Sequence, residues 1–386
     1  MKETLNFYFV AGEPSGDLHG GKLLYALKKS HPDLIAQGVG GPFLREEGLV
    51  PLFKMEELEV MGLSDVLKAL PRLWSLFRKV RRHILESKPD FLILIDYPGF
   101  NLRLAKSLRS KGYTGKIVQY VSPTIWAHSV QRIEHMASTL DLLLAIYPFE
   151  PPYFSRSKLP VEYVGNPLVE YIQNHRYDDR WQETVGIDSS KPLLALFPGS
   201  RRSEILSHLP VLLKAAEKIK ENNPDLQFAI SCARPENHPL IEKLCAHSFL
   251  KDGYDLFLVS KKYTYELMRD SVSAIAKSGT VTLELALHAC PTLVIYNLTW
   301  INWLYAKWIL NLRLRHYCIV NILQGKEIFP ELIKNGFSIS NIAREAQVLL
   351  SSPEREECLA ACSHLKEVLN DAHASSTAAR RVLEML

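Results

Sequence analysis

The sequence predicts an α/β protein built as two parallel-sheet domains facing a cleft. Three observations carry that expectation. Short continuous apolar runs alternate with amphipathic segments along the chain, as parallel strands buried on both faces require. The alternation occurs twice, with Val164-Gly165-Asn166-Pro167 and the polar stretch Gln173–Ser190 between as hinge and linker. At 386 residues the chain is long for one core and comfortable for two. Two Rossmann-like domains are the economical architecture.

The first domain takes residues 1–172. Its expected strands are Leu5–Ala11, Leu34–Val39, Phe91–Ile95, Ile117–Val121 and Leu142–Ile146, with amphipathic segments such as Leu18–Lys29 and Leu102–Ser110 between them. The second domain, 191–350, repeats the scheme with Leu193–Phe197, Leu226–Ser231, Leu256–Val259, Ser273–Ala276 and Thr292–Tyr296. From Ile339 onward the tail is helical, punctuated at Ser352–Pro353 and Asn370–Asp371, and 351–386 forms a last group of helices.

Composition narrows the class. A hydrophobic fraction of 47% and a charged fraction of 23% belong to a soluble globular protein. A net charge of +4, with basic residues balanced by acids and no recognition motif, speaks against nucleic acid. The cysteines (Cys232, Cys245, Cys290, Cys318, Cys358, Cys362) lack the paired spacings of a zinc site and read as packing thiols of a reducing, cytoplasmic compartment. No signal-peptide layout and no apolar run of membrane-span length is present.

After the first strand comes Ala11-Gly12-Glu13-Pro14-Ser15-Gly16-Asp17-Leu18-His19-Gly20-Gly21, at a sheet edge where ligands bind. Its glycines do not make a dinucleotide fingerprint, and Glu13 and Asp17 would repel a pyrophosphate. Such a loop, with Gly12, Ser15 and Gly16, suits sugar hydroxyls or a base that takes their proton; Asp17 itself reads as a helix N-cap. In 64–84, Val66, Leu70, Leu73, Phe77, Val80 and Ile84 recur every three or four residues, and Lys68, Arg72, Lys79 and Arg82 form a basic stripe. Pro71 is expected to split this stretch into two helical pieces. With Trp74 it suits either an interfacial helix or a core-facing one.

Asp96-Tyr97-Pro98-Gly99-Phe100-Asn101 ends the next buried strand. A carboxylate held there by a Pro-Gly turn is a general-base candidate, with Asn101 as cap of the following helix. Tyr120-Val121-Ser122-Pro123-Thr124-Ile125-Trp126-Ala127-His128 brings Ser122 to the same edge; His128, alone beside Trp126, reads as a packing residue.

In the second half, Phe197-Pro-Gly-Ser-Arg-Arg-Ser-Glu-Ile205 runs from a buried strand through a tight turn into a helix. Backbone N–H groups at Ser200, the positive end of the helix dipole, and the charges of Arg201 and Arg202 suit a phosphate or diphosphate. Lys277-Ser278-Gly279-Thr280-Val281-Thr282-Leu283-Glu284 repeats that logic. Here Ser278, Gly279 and Thr280 supply donors, and Glu284, one turn in, accepts from ribose hydroxyls. Two such turns imply a nucleotide-diphosphate site. Trp300–Leu310, with three tryptophans in nine residues, suggests a membrane-interface belt or a subunit contact.

Eight blocks then carry a resemblance. AGEPSGDLHG, GVGGP at 38–42, DYPGFN, YVSPTIWA, YPFE, VGNPL, FPGSRRSEI and SGTVTLELAL occur in this order over most of the chain. Together they resemble the lipid-A-disaccharide synthase family, inverting glycosyltransferases of the GT-B fold. The resemblance implies transfer of a 2,3-diacylglucosamine unit from UDP-diacylglucosamine to the 6-hydroxyl of 2,3-diacylglucosamine 1-phosphate. The products would be the β-1,6 disaccharide 1-phosphate and UDP. It implies no metal or other cofactor, and a peripheral place on the cytoplasmic face of the inner membrane. It also implies a homodimer, in which 351–386 crosses back or is exchanged.

The resemblance further implies a first domain for the acceptor and a second for the donor. Asp96 becomes the expected base, with Glu13 its rival, and Gly12, Ser15, Gly16, Asn101 and Ser122 fall on the acceptor side. Ser200 and Arg201 fall with the UDP, Ser278–Glu284 with diphosphate and ribose, and Asn321 of Ile319-Val-Asn-Ile-Leu-Gln-Gly325 beside the donor. A lipid substrate favours the interfacial reading of 64–84 through Leu70, Arg72, Leu73, Trp74, Phe77 and Arg78. The chain departs from the family pattern at His128, where a second tryptophan is usual, and at Val320, where proline is usual. Two other classes stay open on the residues: a UDP-sugar 2-epimerase acting on a soluble sugar, and a non-catalytic nucleotide-sugar binding module.

Overall fold

The computed structural model describes residues 4–58, 63–124, 131–297, 315–351, 353–369 and 373–386, and of residues 63–69, 131 and 335 the backbone alone. The stretch Ile125–His128 and the tryptophan-rich segment Trp300–Leu310 lie outside the described residues. The chain forms two compact units, Met1–Glu170 with Leu369–Leu386, and Tyr171–Val368.

The first unit is built on strands β1 (Asn6–Ala11), β2 (Ile35–Gly40), β3 (Val50–Lys54), β4 (Phe91–Ile95), β5 (Lys116–Tyr120), β6 (Leu142–Ala145) and β7 (Val161–Tyr163). They pair in parallel in the order β3-β2-β1-β4-β5-β6-β7. The connecting helices are α1 (Pro14–Ser30), α2 (Pro42–Glu46), α3 (Leu63–Ser87), α4 (Pro98–Arg109), α5 (Gln131–Ala137) and α6 (Pro167–Gln173). Alternation along β1 sends Phe7 and Phe9 into one core with Leu23 and Leu27 of α1, and Tyr8 and Val10 into another with Val80 of α3 and Leu104 of α4. Both faces of the sheet are therefore covered, which is why β4 is apolar at every position.

Pro71 does not divide the amphipathic stretch: α3 is one helix of 25 residues running through it. The proline lies on the exposed side, where the hydrogen bond it forgoes can be replaced by water.

The second unit carries β8 (Leu193–Phe197), β9 (Gln227–Cys232), β10 (Leu256–Ser260), β11 (Ser273–Lys277), β12 (Thr292–Tyr296) and β13 (Glu331–Ile333), parallel in the order β10-β9-β8-β11-β12-β13. Its helices are α7 (Trp181–Val185), α8 (Arg202–Asn222), α9 (His238–Cys245), α10 (Thr264–Asp270), α11 (Thr280–Leu287), α12 (Ile319–Gln324), α13 (Ile339–Ser351) and α14 (Pro353–Val368). The polar stretch expected as a linker is tied down within this unit. Trp181 is fully buried, and its indole N–H donates to Asp270 Oδ2 at 2.7 Å.

The last helix, α15 (Ala374–Leu383), packs on α1 of the first unit through Ala378, Ala379 and Val382. Glu170 fixes it, accepting the Ser375 N–H at 3.0 Å while pairing with Lys22 at 3.2 Å. Among the described residues, no helix is long and apolar enough to cross a membrane. Strand order reverses between β1 and β4 in one sheet and between β8 and β11 in the other, and ligands of open α/β sheets bind at such switch points.

Candidate functional site

At the first switch point β1 runs out into Gly12–Glu13 and β4 into Asp96–Tyr97, just past the strand ends. Asp96 and Tyr97 both hold left-handed backbone, with φ of +48° and +45°, a costly pair for side-chain-bearing residues. Buried hydrogen bonds enforce it. The Asp96 N–H donates to the Tyr120 carbonyl at 2.9 Å, and the Asp96 carbonyl accepts from Asn101 Nδ2 at 2.8 Å and Gln119 Nε2 at 3.1 Å. Asn101 and Gln119 are both fully buried. Burial raises the Asp96 carboxyl above the ordinary aspartate range, partly offset by the Tyr97 N–H. A carboxylate so lifted is a better proton acceptor. Sequence reasoning missed Gln119; its one signal is an amide inside the apolar run of β5.

The other residues expected on this side have varied settings. Gly12 is buried under the Tyr97 ring, and a Cβ there would come within 2.4 Å of it. Glu13 and Ser15 are exposed at the start of α1, and Gly16 lies buried against β4. Ser122 is buried, its hydroxyl donating to the Pro123 carbonyl at 3.1 Å. Asn101 is not the cap of α4; Tyr97 holds that position, and Asn101, a turn inside, clamps the end of β4 instead. Nor does Asp17 cap its own helix. Fully buried within α1, its carboxylate accepts the N–H groups of Gly41, Phe43 and Leu44 at 2.7–3.1 Å and so caps α2.

Along α3, Leu70 and Trp74 are half exposed, at 50% and 53%. Arg72 and Arg78 are exposed, and the Arg78 guanidinium lies 5.3 Å from the Trp74 ring centre. Leu73 packs against the core from its edge. Phe77 corrects the interfacial expectation: with Val80 and Ile84 it is buried in the core. It sits edge-on to Phe100 at 5.3 Å.

At the second switch point the turns after β8 and β11 enclose a cavity of about 300 Å³. Ser200, Arg201, Glu204, Lys277, Gly279 and Thr280 are in its walls, and the N-termini of α8 and α11 open onto it. The first turn is not arranged as expected. Glu204 Oε2 accepts the N–H groups of Ser200 at 3.0 Å and Arg201 at 3.2 Å, and Oε1 pairs with Lys277 at 3.1 Å. Burial pushes the Glu204 carboxyl up, but Lys277 and these N–H groups outweigh it and hold the carboxyl below its usual range. Gly199, at φ +118°, makes room, since a Cβ would stand 2.5 Å from that carboxylate. For an anion there remain the exposed Arg201, the Lys277 ammonium and the start of α11 at Gly279–Thr280. Lys277 stood at the head of the second turn block in the sequence but was not singled out there as a ligand.

Three expected donor-side residues stand apart from this cavity. The Ser278 hydroxyl turns toward the Tyr317 carbonyl, at 3.5 Å. Glu284 accepts from the Tyr265 hydroxyl at 3.2 Å, and burial, partly countered by that bond, raises its carboxyl. Asn321 is a correction. Its amide donates to the Phe329 carbonyl and Glu331 Oε1, both at 2.8 Å, and its oxygen accepts the N–H groups of Ile328 at 2.8 Å and Phe329 at 2.9 Å. Fully buried and fully bonded, it pins a loop and has no capacity left for a ligand.

Residues 7–382 match the family described as Lipid-A-disaccharide synthetase. The lipid-A-disaccharide synthase of Chlamydia trachomatis serovar D is 38% identical over 375 residues, which are 95% of this chain and 60% of that protein. That of Geobacter sulfurreducens is 36% identical over 378 residues, covering 98% of this chain and 96% of its own. The chain thus spans about 60% of the length of the chlamydial relatives it matches. Among solved structures, UDP-GlcNAc 2-epimerase from Neisseria meningitidis bound to UDP-GlcNAc aligns with a TM-score of 0.66 at 11% identity, covering 99% of both chains. A putative UDP-N-acetylglucosamine 2-epimerase from Listeria monocytogenes gives 0.66 at 12%, over 98% of this chain and 95% of that one. At such identities the likeness bears on fold alone, and the fold is α/β of the GT-B type with two Rossmann-like domains.

Proposed function

The chain belongs to the lipid-A-disaccharide synthetase family, and from that premise we propose that it transfers 2,3-diacylglucosamine from UDP to the 6-hydroxyl of 2,3-diacylglucosamine 1-phosphate. Asp96 takes the proton from that hydroxyl as its oxygen forms a bond to the anomeric carbon. The bond from that carbon to the diphosphate breaks, and its electron pair leaves on UDP. Attack opposite the leaving group inverts the anomeric centre and gives the β-1,6 disaccharide 1-phosphate. Arg201, Lys277 and the N-terminus of α11 stabilise the departing diphosphate. Lys277 would then exchange part of its pairing with Glu204 for a phosphate oxygen. Glu284 is left to the ribose. The protein works as a peripheral membrane dimer with Leu70, Arg72, Trp74 and Arg78 toward the lipid.

The observation that carries this reading is the cavity at the second switch point, where Arg201, Lys277 and the N-terminus of α11 face one hollow. The test mixes protein, both lipid sugars, detergent and a chelator, and follows UDP release. Turnover in the wild type is expected, with a loss of ~10²–10⁴ in Asp96→Ala while UDP still binds. A wild type that binds UDP but releases none from these substrates would sink the reading. Unimpaired Asp96→Ala would move the base to Glu13.

A further inference from the structure

A second cavity, of about 230 Å³, lies wholly within the first unit between α4 and α5. Its chemistry differs from that of the donor cavity. Arg103 and Lys106 of α4 and Arg132 of α5 line it, and no carboxylate does. All three cations are exposed, and among the described residues none has an acidic partner. Leu102 and Met136, one half-buried and one buried, give the cavity an apolar floor. Helical spacings of three and four, 99–102–103–106 along α4 and 132–135–136 along α5, turn these residues to one groove, with Thr139 just past the end of α5. Three like charges around one hollow repel one another, and a doubly charged anion relieves that repulsion.

The groove begins at Pro98, two residues after Asp96. With a rise of ~1.5 Å per residue, Arg103 stands about 8 Å along α4 from Pro98, which is the span of one substituted sugar ring. We propose that Arg103, Lys106 and Arg132 bind the phosphate monoester of the acceptor, so that the phosphate at one end of the sugar sets the hydroxyl at the other against the base. The identity of the sugar rests on the function proposed above; the anion chemistry rests on the groove.

The test uses titration calorimetry on the full chain with three soluble probes: short-chain 2,3-diacylglucosamine 1-phosphate, its phosphate-free counterpart, and inorganic phosphate. Arg103→Gln with Lys106→Gln is expected to weaken the phosphorylated sugar roughly 10- to 100-fold and leave the phosphate-free sugar unchanged. Equal effects on both sugars, no effect on either, or no binding of the phosphorylated sugar to the wild type would overturn the proposal. Inorganic phosphate binding as tightly as the sugar phosphate would make a free anion the ligand. In parallel cosedimentation, a variant that loses binding to phosphatidylglycerol vesicles but keeps the sugar phosphate would assign the cations to lipid headgroups. Either result also overturns it. UDP release measured alongside separates the two ideas: phosphate-dependent binding without turnover removes the transferase reading and leaves the anion site standing.

Discussion

At the residue scale, two polar side chains with similar sequence settings have opposite fates. Asp96 is held in a strained, desolvated position by Asn101 and Gln119, which bond its carbonyl, while the Tyr97 N–H only partly compensates its carboxylate. A carboxyl whose folded pKa is raised destabilises the fold above that pKa, and Asn both lacks the charge and tolerates left-handed backbone. Asp96→Asn should therefore cost ~10²–10⁴ in turnover yet raise Tm by roughly 1–3 °C at neutral pH. The acid limb of the wild-type pH–rate profile should lie above the ordinary aspartate range. A profile falling at the usual range, or a lower Tm, would contradict this account. Asn321 is the converse. Asn321→Ala strands two N–H groups and a carbonyl and should cost about 2–4 kcal/mol, read by denaturant unfolding. UDP affinity of the folded fraction should be unchanged. Asp96 was visible in one of the family blocks, and Asn321 outside them as a further polar position the resemblance pointed to. What the sequence does not carry is whether a side chain's bonding capacity is already spent, because its partners lie on loops and neighbouring strands.

At the scale of elements, α3 divides its labour along its length. Its middle turns present Leu70 and Trp74, and its later turns hold Phe77, Val80 and Ile84 in the core. Leu70→Glu with Trp74→Glu should lower cosedimentation with anionic vesicles at least severalfold while leaving Tm within about 2 °C. Phe77→Ala should instead destabilise by about 3–5 kcal/mol in chemical denaturation. Should the two variants behave alike, the helix would not have two distinct halves. The heptad-like spacing showed the helix but not the changeover, since all its apolar positions look equal until the core is in place. Strands tell a similar story. The central ones were legible as apolar runs, whereas β3, β7 and β13 were not, and each lies at a sheet edge. An edge strand pairs on one side only, and all three residues of β7 and of β13 are half-buried, so they lack the apolar signature of a covered strand.

For the whole molecule, acid should loosen both units together. His19 in the first and His288 in the second are each lowered to about 4, chiefly by burial. The unfolded chain binds these protons near 6.5, so the stability that neutral imidazoles contribute is present above that pH and drains as pH falls toward about 4. Thermal melts across this window should show a falling Tm, and His19→Asn should flatten part of the slope; a level Tm would refute the coupling. The two-unit plan was plain in the sequence, since repeated strand–helix alternation is a local signal. The return of α15 entered only as one of two alternatives that the family resemblance implied, because its small residues Ala378 and Ala379 complete a core laid down by α1 and carry no local signal of their own. That return has a consequence for synthesis. The first unit's core is closed by residues translated after the entire second unit, so a nascent chain carries an open apolar seam until α15 has been made. Either the seam is shielded by a chaperone during that interval, or translation must outrun aggregation.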